Sequence, residues 1–259
     1  MRATLPAAVR RRLDPAGRFG LRLTLAVLAL VLIAVPFGLL LDQVVRDGPL
    51  VGVDTSAANH LHGWVRESPV AVEILEVVTF LGDPIWFYII VTLAAIHCFR
   101  RHHLRLVVYL ATTTLLGGVV DTIVKVLVNR DRPSLEDPVA SAHGKSFPSG
   151  HAMTSTVAYG ALLLVYLPVL PRAWRKWFVV AYAVVVSSVA FTRLALGVHY
   201  ISDVLGGIIL GLAWLALSTA AFSIWRVERG KPPVTPIEGV EPEAAKDLTP
   251  KTTTQQGHA

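Results

Sequence analysis

The 259 residues are dominated by apolar runs that are too long for the elements of a soluble core. A bilayer core takes about 20 apolar residues per helix. Six runs approach or reach that length: Leu23–Leu41, Pro84–Cys98, Leu106–Val128, Ala152–Leu170, Trp177–Leu196 and Ile201–Trp225. The second is short, and Asp83-Pro84 before it reads as an N-cap followed by proline at the first helical position. The segment Val70–Leu81 is apolar but holds Glu73 and Glu76, which predicts a helix lying in the membrane interface rather than a seventh span. The first run follows a basic leader, Arg10-Arg11-Arg12. It is too long for a signal-peptide core, and no small-residue cleavage site follows Leu41, so it predicts a retained anchor. The expected fold is all-α, a bundle of six transmembrane helices.

Composition agrees with the pattern. The chain is 53% hydrophobic and only 16% charged, where a soluble domain carries about a quarter charged residues. Cys98 is the single cysteine, which excludes an internal disulfide and a cysteine-based metal cluster. The net charge of +6 would suit nucleic acid, but the placement of the cations gives a different account. With both termini cytoplasmic, seventeen Lys and Arg fall inside: six before the first run, three around residues 100–105, three around 172–176 and five in the tail. Seven fall outside, namely Arg46, Arg66, Lys125, Arg130, Arg132, Lys145 and Arg193. That asymmetry fixes the expected orientation and explains the basic balance by membrane lipids, without nucleic acid. The chain divides into a basic cytoplasmic N-terminus (1–20), a six-span domain (21–225) and a polar tail (226–259) with too little apolar surface to fold alone, read as disordered.

Three groups of polar residues stand at the expected outer ends of the spans. Lys125 lies in the last turns of the third run, where an unpaired cation is costly, and Asp121 four residues earlier shares its helical face. The chain then reads Arg130-Asp131-Arg132-Pro133, and later Pro148-Ser149-Gly150-His151 opens the fourth run. Ser149 suits an N-cap, and the free amides of that helix start suit an anion. Between the fifth and sixth runs come Thr192-Arg193, His199 and Asp203. His199 and Asp203 are four apart, so the carboxylate can accept a hydrogen bond from Nδ1–H, which fixes the tautomer and leaves Nε2 with a free lone pair. Converged, these groups supply cations, a helix N-terminus and two histidines able to act as acid and as nucleophile, which together suit phosphoryl transfer. Arg130 either joins that site or only strengthens the local potential, and Asp131 reads as a solvated neighbour. His60 and His62, two apart, read as loop residues, and His102 and His103 belong to the cytoplasmic basic loop. Gly207 and Gly211 read as a small-residue pair for close helix packing.

These residues resemble the type-two phosphatidic acid phosphatase superfamily, membrane lipid phosphate phosphatases that share a site with bacterial acid phosphatases and vanadium haloperoxidases. Its three motifs correspond here to Lys125 through Arg132-Pro133, to Pro148-Ser149-Gly150-His151, and to Thr192-Arg193 with His199 and Asp203. Thr192 replaces the family's serine and keeps a hydroxyl. The resemblance implies that His199 attacks phosphorus and becomes phosphohistidine, oriented by Asp203. It further implies that His151 protonates the leaving alkoxide and then activates water. Lys125, Arg132, Ser149, Gly150 and Arg193 would bind the phosphoryl oxygens, with no metal and no cofactor required. The expected activity is hydrolysis of a lipid phosphate or diphosphate monoester at the outer leaflet of the plasma membrane. Candidate substrates are undecaprenyl diphosphate, phosphatidic acid and phosphatidylglycerol phosphate. A lipid-linked phosphotransferase using the same site is the alternative within this chemistry. A non-enzymatic proton-coupled transporter relaying through Asp121, Lys125, His199 and Asp203 is the alternative outside it.

Overall fold

The structure, a computed structural model, describes residues 34–135, 138–232, 234–235 and 238–249. The regular secondary structure among them is entirely helical, without a strand. The helices are α1 (Ala34–Val45), α2 (Pro49–Arg66), α3 (Pro69–Phe80), α4 (Pro84–Arg100), α5 (Leu104–Val128), α6 (Gly150–Tyr166), α7 (Arg172–Ala195), α8 (Ile201–Glu228) and the short α9 (Ala245–Leu248). Of the first expected span, Leu23–Leu41, only the part from Ala34 falls within the described residues, where it forms α1; residues 1–20 lie outside them.

Local chemistry accounts for several boundaries. Helices α2, α3 and α4 each begin with proline, whose missing N–H costs nothing in a first turn. The Ser68 hydroxyl accepts from Ala71 N and the Asp83 carboxylate from Ile85 N, satisfying free amides at two of these starts. Helix α5 ends on Asn129 at φ +53, a left-handed C-cap whose N–H bonds Lys125 O.

Among the described residues, five segments are long and apolar enough to cross a membrane: Pro69–Arg100, Leu104–Val128, Gly150–Val169, Arg172–Ala195 and Ile201–Glu228. The first is not one rod. Leu81-Gly82-Asp83 breaks it into α3 and α4, and residues 69–80 form a separate helix as the sequence suggests. Large apolar side chains such as Ile89, Leu93, Leu115, Val126, Phe178 and Val184 face outward over the spans, which only a lipid surround tolerates at this density.

Helix α6 is the hub. It touches α4, α5, α7 and α8, and 56% of its apolar stretch is buried, against 22% for α5 and α8. Glycine lets α8 come close. A Cβ on Gly207 would stand 2.6 Å from Ser149 O, and one on Gly211 2.9 Å from Thr156 Cβ. The expected small-residue packing is therefore present, directly beneath the start of α6. Gly207→Val is expected to destabilise the protein by about 1–3 kcal/mol through overpacking and to lower activity with it. Melting in detergent checks this, and an unchanged midpoint contradicts the tight contact. Cross-helix hydrogen bonds add direction: Trp214 Nε1 donates to Thr113 O (2.7 Å), Tyr182 OH to Thr156 O (3.1 Å) and Tyr159 OH to Leu81 O (2.8 Å).

Two expectations need correction. His60 and His62 are not in a loop: both belong to α2, where Asp54, Ala58, His62 and Val65 form its buried face. The tail was expected to be disordered from residue 226, yet α8 runs on to Glu228 and residues 238–249 are folded. Val240 N bonds Leu164 O at 3.1 Å, and Val240, Ala244 and Leu248 are buried in the main core with Cys98, Leu106 and Val165. Glu241, itself buried, reaches Arg105 at 3.1 Å, and Glu243 meets Arg226 at 2.7 Å and Lys231 at 3.0 Å. Burial alone would raise the Glu243 carboxyl, but Arg226 and Lys231 hold it down at about 2. Three small or aliphatic residues at four-residue spacing are enough to dock the segment, and the tail's polar average conceals them.

Candidate active site

The candidate residues come from the neighbouring ends of α5, α6, α7 and α8. At the end of α5, Lys125 pairs with Asp121 at 2.5 Å, as their spacing suggests. A Cβ on Gly150 would lie 3.1 Å from Lys125 Nζ, so the ammonium stands against the first turn of α6 and a larger residue there would crowd it. Ser149 occupies the N-cap position of α6, but its hydroxyl does not cap the helix. That hydroxyl is buried and makes no hydrogen bond, while the Ser149 amide donates to Asp203 O at 2.9 Å. An uncommitted donor beside a helix N-terminus suits an anion.

Helix α7 ends at Ala195, and two residues on Gly197 takes a φ of +68 that glycine adopts with little strain. The turn that follows returns the amides of Val198 and His199 to Arg193 O, each at 3.2 Å, and carries His199 over the end of the bundle. Its Nε2 lies 3.0 Å from Arg132 Nη1. A guanidinium only donates, so Nε2 is the accepting, unprotonated nitrogen. Nδ1 faces Asp203 Oδ2 and the Ser146 hydroxyl, each at the long distance of 3.4 Å. Asp203 is heavily engaged: Oδ2 also accepts the Tyr200 amide at 2.8 Å and a short bond from the Ser146 hydroxyl, and Oδ1 accepts Arg130 Nη1 at 2.7 Å.

Burial is the main reason that His199 is held down at about 4, with the positive charges of Arg132 and Arg193 acting in the same direction and Asp203 opposing them. The imidazole is therefore neutral near pH 7. The linkage has a definite sign. The unfolded chain takes up this proton near pH 6.5, whereas the folded state resists it until about 4. The stability associated with a neutral His199 is thus complete above about 6.5 and declines as the pH falls toward 4.

Arg132 spreads its remaining donors over backbone carbonyls, at 2.8 Å from Val198 O, 3.0 Å from Gly144 O and 3.1 Å from His143 O. It thereby ties the loop after α5 to the turn carrying His199. Burial lowers its guanidinium somewhat, against the pull of Asp203. Arg193 is buried and donates from Nη1 to Thr79 Oγ1 at 2.9 Å, while its Nε has no hydrogen-bond partner. His151, in the first turn of α6, lies within the electrostatic reach of Arg193, His199, Arg132 and Lys125. The Thr192 hydroxyl turns back to Val189 O and is buried, so the threonine at that position does not face the site.

Lys125, Arg132, Ser149, Gly150, His151, Arg193, His199 and Asp203 are thus brought together. Arg130, left open by sequence, touches this group through Asp203 alone: it joins Asp203 to Asp54 and lies over the Tyr200 ring at 4.2 Å. Sequence reasoning did not find Asp54, Thr79, Ser146 or Ser202. For Asp54 a signal exists, since Asp54, Ala58 and His62 recur every four residues on one face; for Ser146, in an irregular loop, none does. Beside Thr192 a groove of about 600 Å³ opens between α3 and α7, lined by Leu75, Val78, Val180, Val184, Ser187 and Phe191 among others.

Residues 106–226 match the PAP2 superfamily. Phosphatidylglycerophosphatase B of Bacillus subtilis is 34% identical over 97 residues, which are 36% of this chain and 47% of that protein. Lipid A 1-phosphatase of Rhizobium etli is 31% identical over 121 residues, 43% of this chain and 48% of that one. Decaprenylphosphoryl-5-phosphoribose phosphatase of Mycolicibacterium smegmatis is 38% identical over 95 residues, again 36% and 47%. The matched stretch thus spans about half the length of these curated relatives. Among solved structures, the transmembrane PAP2 type phosphatidylglycerolphosphate phosphatase from Bacillus subtilis superposes with a TM-score of 0.68 at 23% identity, covering 74% of this chain and 94% of that one, which establishes a shared fold. Residues 106–226 thus resemble the PAP2 superfamily, and the chain has the fold of that solved transmembrane structure.

Proposed function

We propose that the chain is a membrane phosphatase that hydrolyses a lipid phosphate or diphosphate monoester at the outer leaflet, by way of a phosphohistidine on His199. The observation that carries this reading is the juxtaposition of a neutral His199, its Nε2 held by Arg132, with a second histidine, two further cations and a helix N-terminus. The Nε2 lone pair attacks phosphorus and the bond to the lipid oxygen breaks. His151 gives its proton to the leaving alkoxide. It then takes a proton from water, whose oxygen attacks phosphorus as the phosphorus–nitrogen bond breaks and its electrons return to Nε2. Lys125, Arg132, Arg193, the Ser149 hydroxyl and the Gly150 amide neutralise the charge on the transferring group.

A lipid substrate follows from position. The cations stand at the ends of spans, and the α3–α7 groove leads from Thr192, next to Arg193, along an apolar helix face as far as Val180. Relatives named for phosphatidylglycerophosphate, lipid A 1-phosphate and decaprenylphosphoryl phosphoribose share one chemical element, a phosphate monoester on a membrane-embedded molecule. The distribution of Lys and Arg supports an orientation with both termini cytoplasmic and the site outside.

The test is phosphate release by the purified protein in detergent, with chelator present, from phosphatidic acid, phosphatidylglycerol phosphate and undecaprenyl diphosphate in parallel. Release from at least one is expected, and dependence on added magnesium overturns the assignment of the site. The acid limb of kcat/KM that belongs to His199 is expected near pH 4, because protonation removes the nucleophile only there. A limb at 6.5 assigned to His199 would contradict its buried setting.

A further inference from the structure

Asp54 on α2 is fully buried and lies outside the region matched to the family. Every contact it makes leads to the neighbourhood of Asp203. Its Oδ1 accepts the Ser202 amide at 3.0 Å, and its Oδ2 accepts Arg130 Nη2 at 2.8 Å and a short bond from the Ser202 hydroxyl. Arg130 continues the chain with its other terminal nitrogen, Nη1, which lies 2.7 Å from Asp203 Oδ1 and 2.6 Å from the Ser202 hydroxyl. The result is an ordered relay of charges: Asp54, Arg130, Asp203, His199.

Its sign matters. Arg130 paired with Asp203 alone would neutralise the one carboxylate available to the imidazole. Phosphorylation of Nε2 leaves the ring cationic, and a neutralised Asp203 stabilises that cation poorly. A second carboxylate on the far side of Arg130 restores a net charge of −1 to the three groups. It also fixes the guanidinium plane so that Nη1 meets Oδ1, leaving Oδ2 to Ser146, Tyr200 and His199. The two carboxylates hold Arg130 above its ordinary value even though burial works against them, so the cation is permanent. Buried ion pairs contribute little net stability compared with an apolar filling, which makes a purely structural role a poor account of two carboxylates each within 3 Å of the same guanidinium.

We propose that Asp54, acting through Arg130 and Ser202, is a positioning residue that fixes the Asp203 carboxylate and keeps its negative charge available to His199. This rests on the reading of His199 as the nucleophile.

The test uses the full chain in detergent with dioleoyl phosphatidic acid as substrate and inorganic phosphate as a competitive inhibitor. Asp54→Asn is expected to lower kcat roughly 10- to 100-fold, the range for partners that orient a functional histidine, while KM and the phosphate inhibition constant stay within about twofold. Asp54→Asn combined with Arg130→Gln is expected to be faster than Asp54→Asn alone, because removing both charges returns Asp203 to −1, a coupling on the order of threefold or more. A residue serving only the fold would make the double variant worse. Parental kcat in Asp54→Asn, or equal loss of kcat and phosphate binding in folded protein, overturns the proposal. Should Asp54→Asn fail to fold, Ser202→Ala removes one link of the relay; a drop in kcat of about threefold at constant KM supports the proposal, and no drop overturns it. His199→Ala with normal turnover overturns the nucleophile reading and this proposal together, whereas parental Asp54→Asn beside inactive His199→Ala overturns this proposal alone.

Discussion

His199→Ala is expected to remove turnover altogether, a fall in kcat of about five to six orders of magnitude, as when a covalent nucleophile is deleted. The protein should remain folded. His199 is 2% exposed, and its loss leaves a small cavity at the end of the bundle, costing about 1–3 kcal/mol. The start of α8 keeps its other ties, Asp203 on the Tyr200 amide and Asp54 on the Ser202 amide. Two measurements decide the matter. Acid-quenched parent enzyme with labelled substrate should carry an alkali-stable phosphoryl group that the variant lacks, and the variant should still bind inorganic phosphate through Lys125 and Arg193. Near-normal turnover by His199→Ala would place the nucleophile elsewhere.

Asp203→Asn should follow closely, with kcat lower by roughly 10³- to 10⁴-fold and KM little changed, the size of effect seen when the carboxylate behind a catalytic histidine is amidated. The carboxylate accepts from four donors. An amide offers one oxygen, and its NH₂ meets either Arg130 or the His199 Nδ1 proton. Either the imidazole turns to the tautomer protonated on Nε2, which has no lone pair toward phosphorus, or the guanidinium loses its partner. Asp54 still holds Arg130, so the stability loss should stay near 1–3 kcal/mol, the cost of leaving buried donors unpaired. Raising the pH should not restore the rate, because the defect lies in the tautomer and not in protonation. Recovery of parental kcat at high pH would show that Asp203 acts only on the acidity of His199.

The bundle was legible because its signals are local. Apolar runs of membrane length mark α5, α7 and α8 to within a few residues, and Asp83-Pro84 marks the start of α4 at the expected position. The cationic and histidine positions were legible for the same reason. Lys125 with Arg132, Ser149 with His151, and His199 with Asp203 are each separated by a few residues, and a transmembrane helix can place such groups only at its ends. What escaped depends on distant pairings. Asp54 meets Ser202 across 148 positions, and nothing in the spacing of α2 names that partner. Ser149 sits where a cap belongs, yet its hydroxyl is uncommitted, which the run Pro148-Ser149-Gly150 does not reveal. The docked tail escaped because a polar average hides three apolar residues that find a ready-made cleft.

That docked tail also decides where the chain tolerates engineering. With Val240, Ala244 and Leu248 seated between spans and Glu241 and Glu243 gripping Arg105, Arg226 and Lys231, residues 238–249 behave as a latch across the helix ends remote from His151 and His199. A reporter spliced in around Gly230 would have to stretch this latch or dislodge it, whereas one joined after Thr249 starts beyond Leu248, the last buried side chain among the described residues.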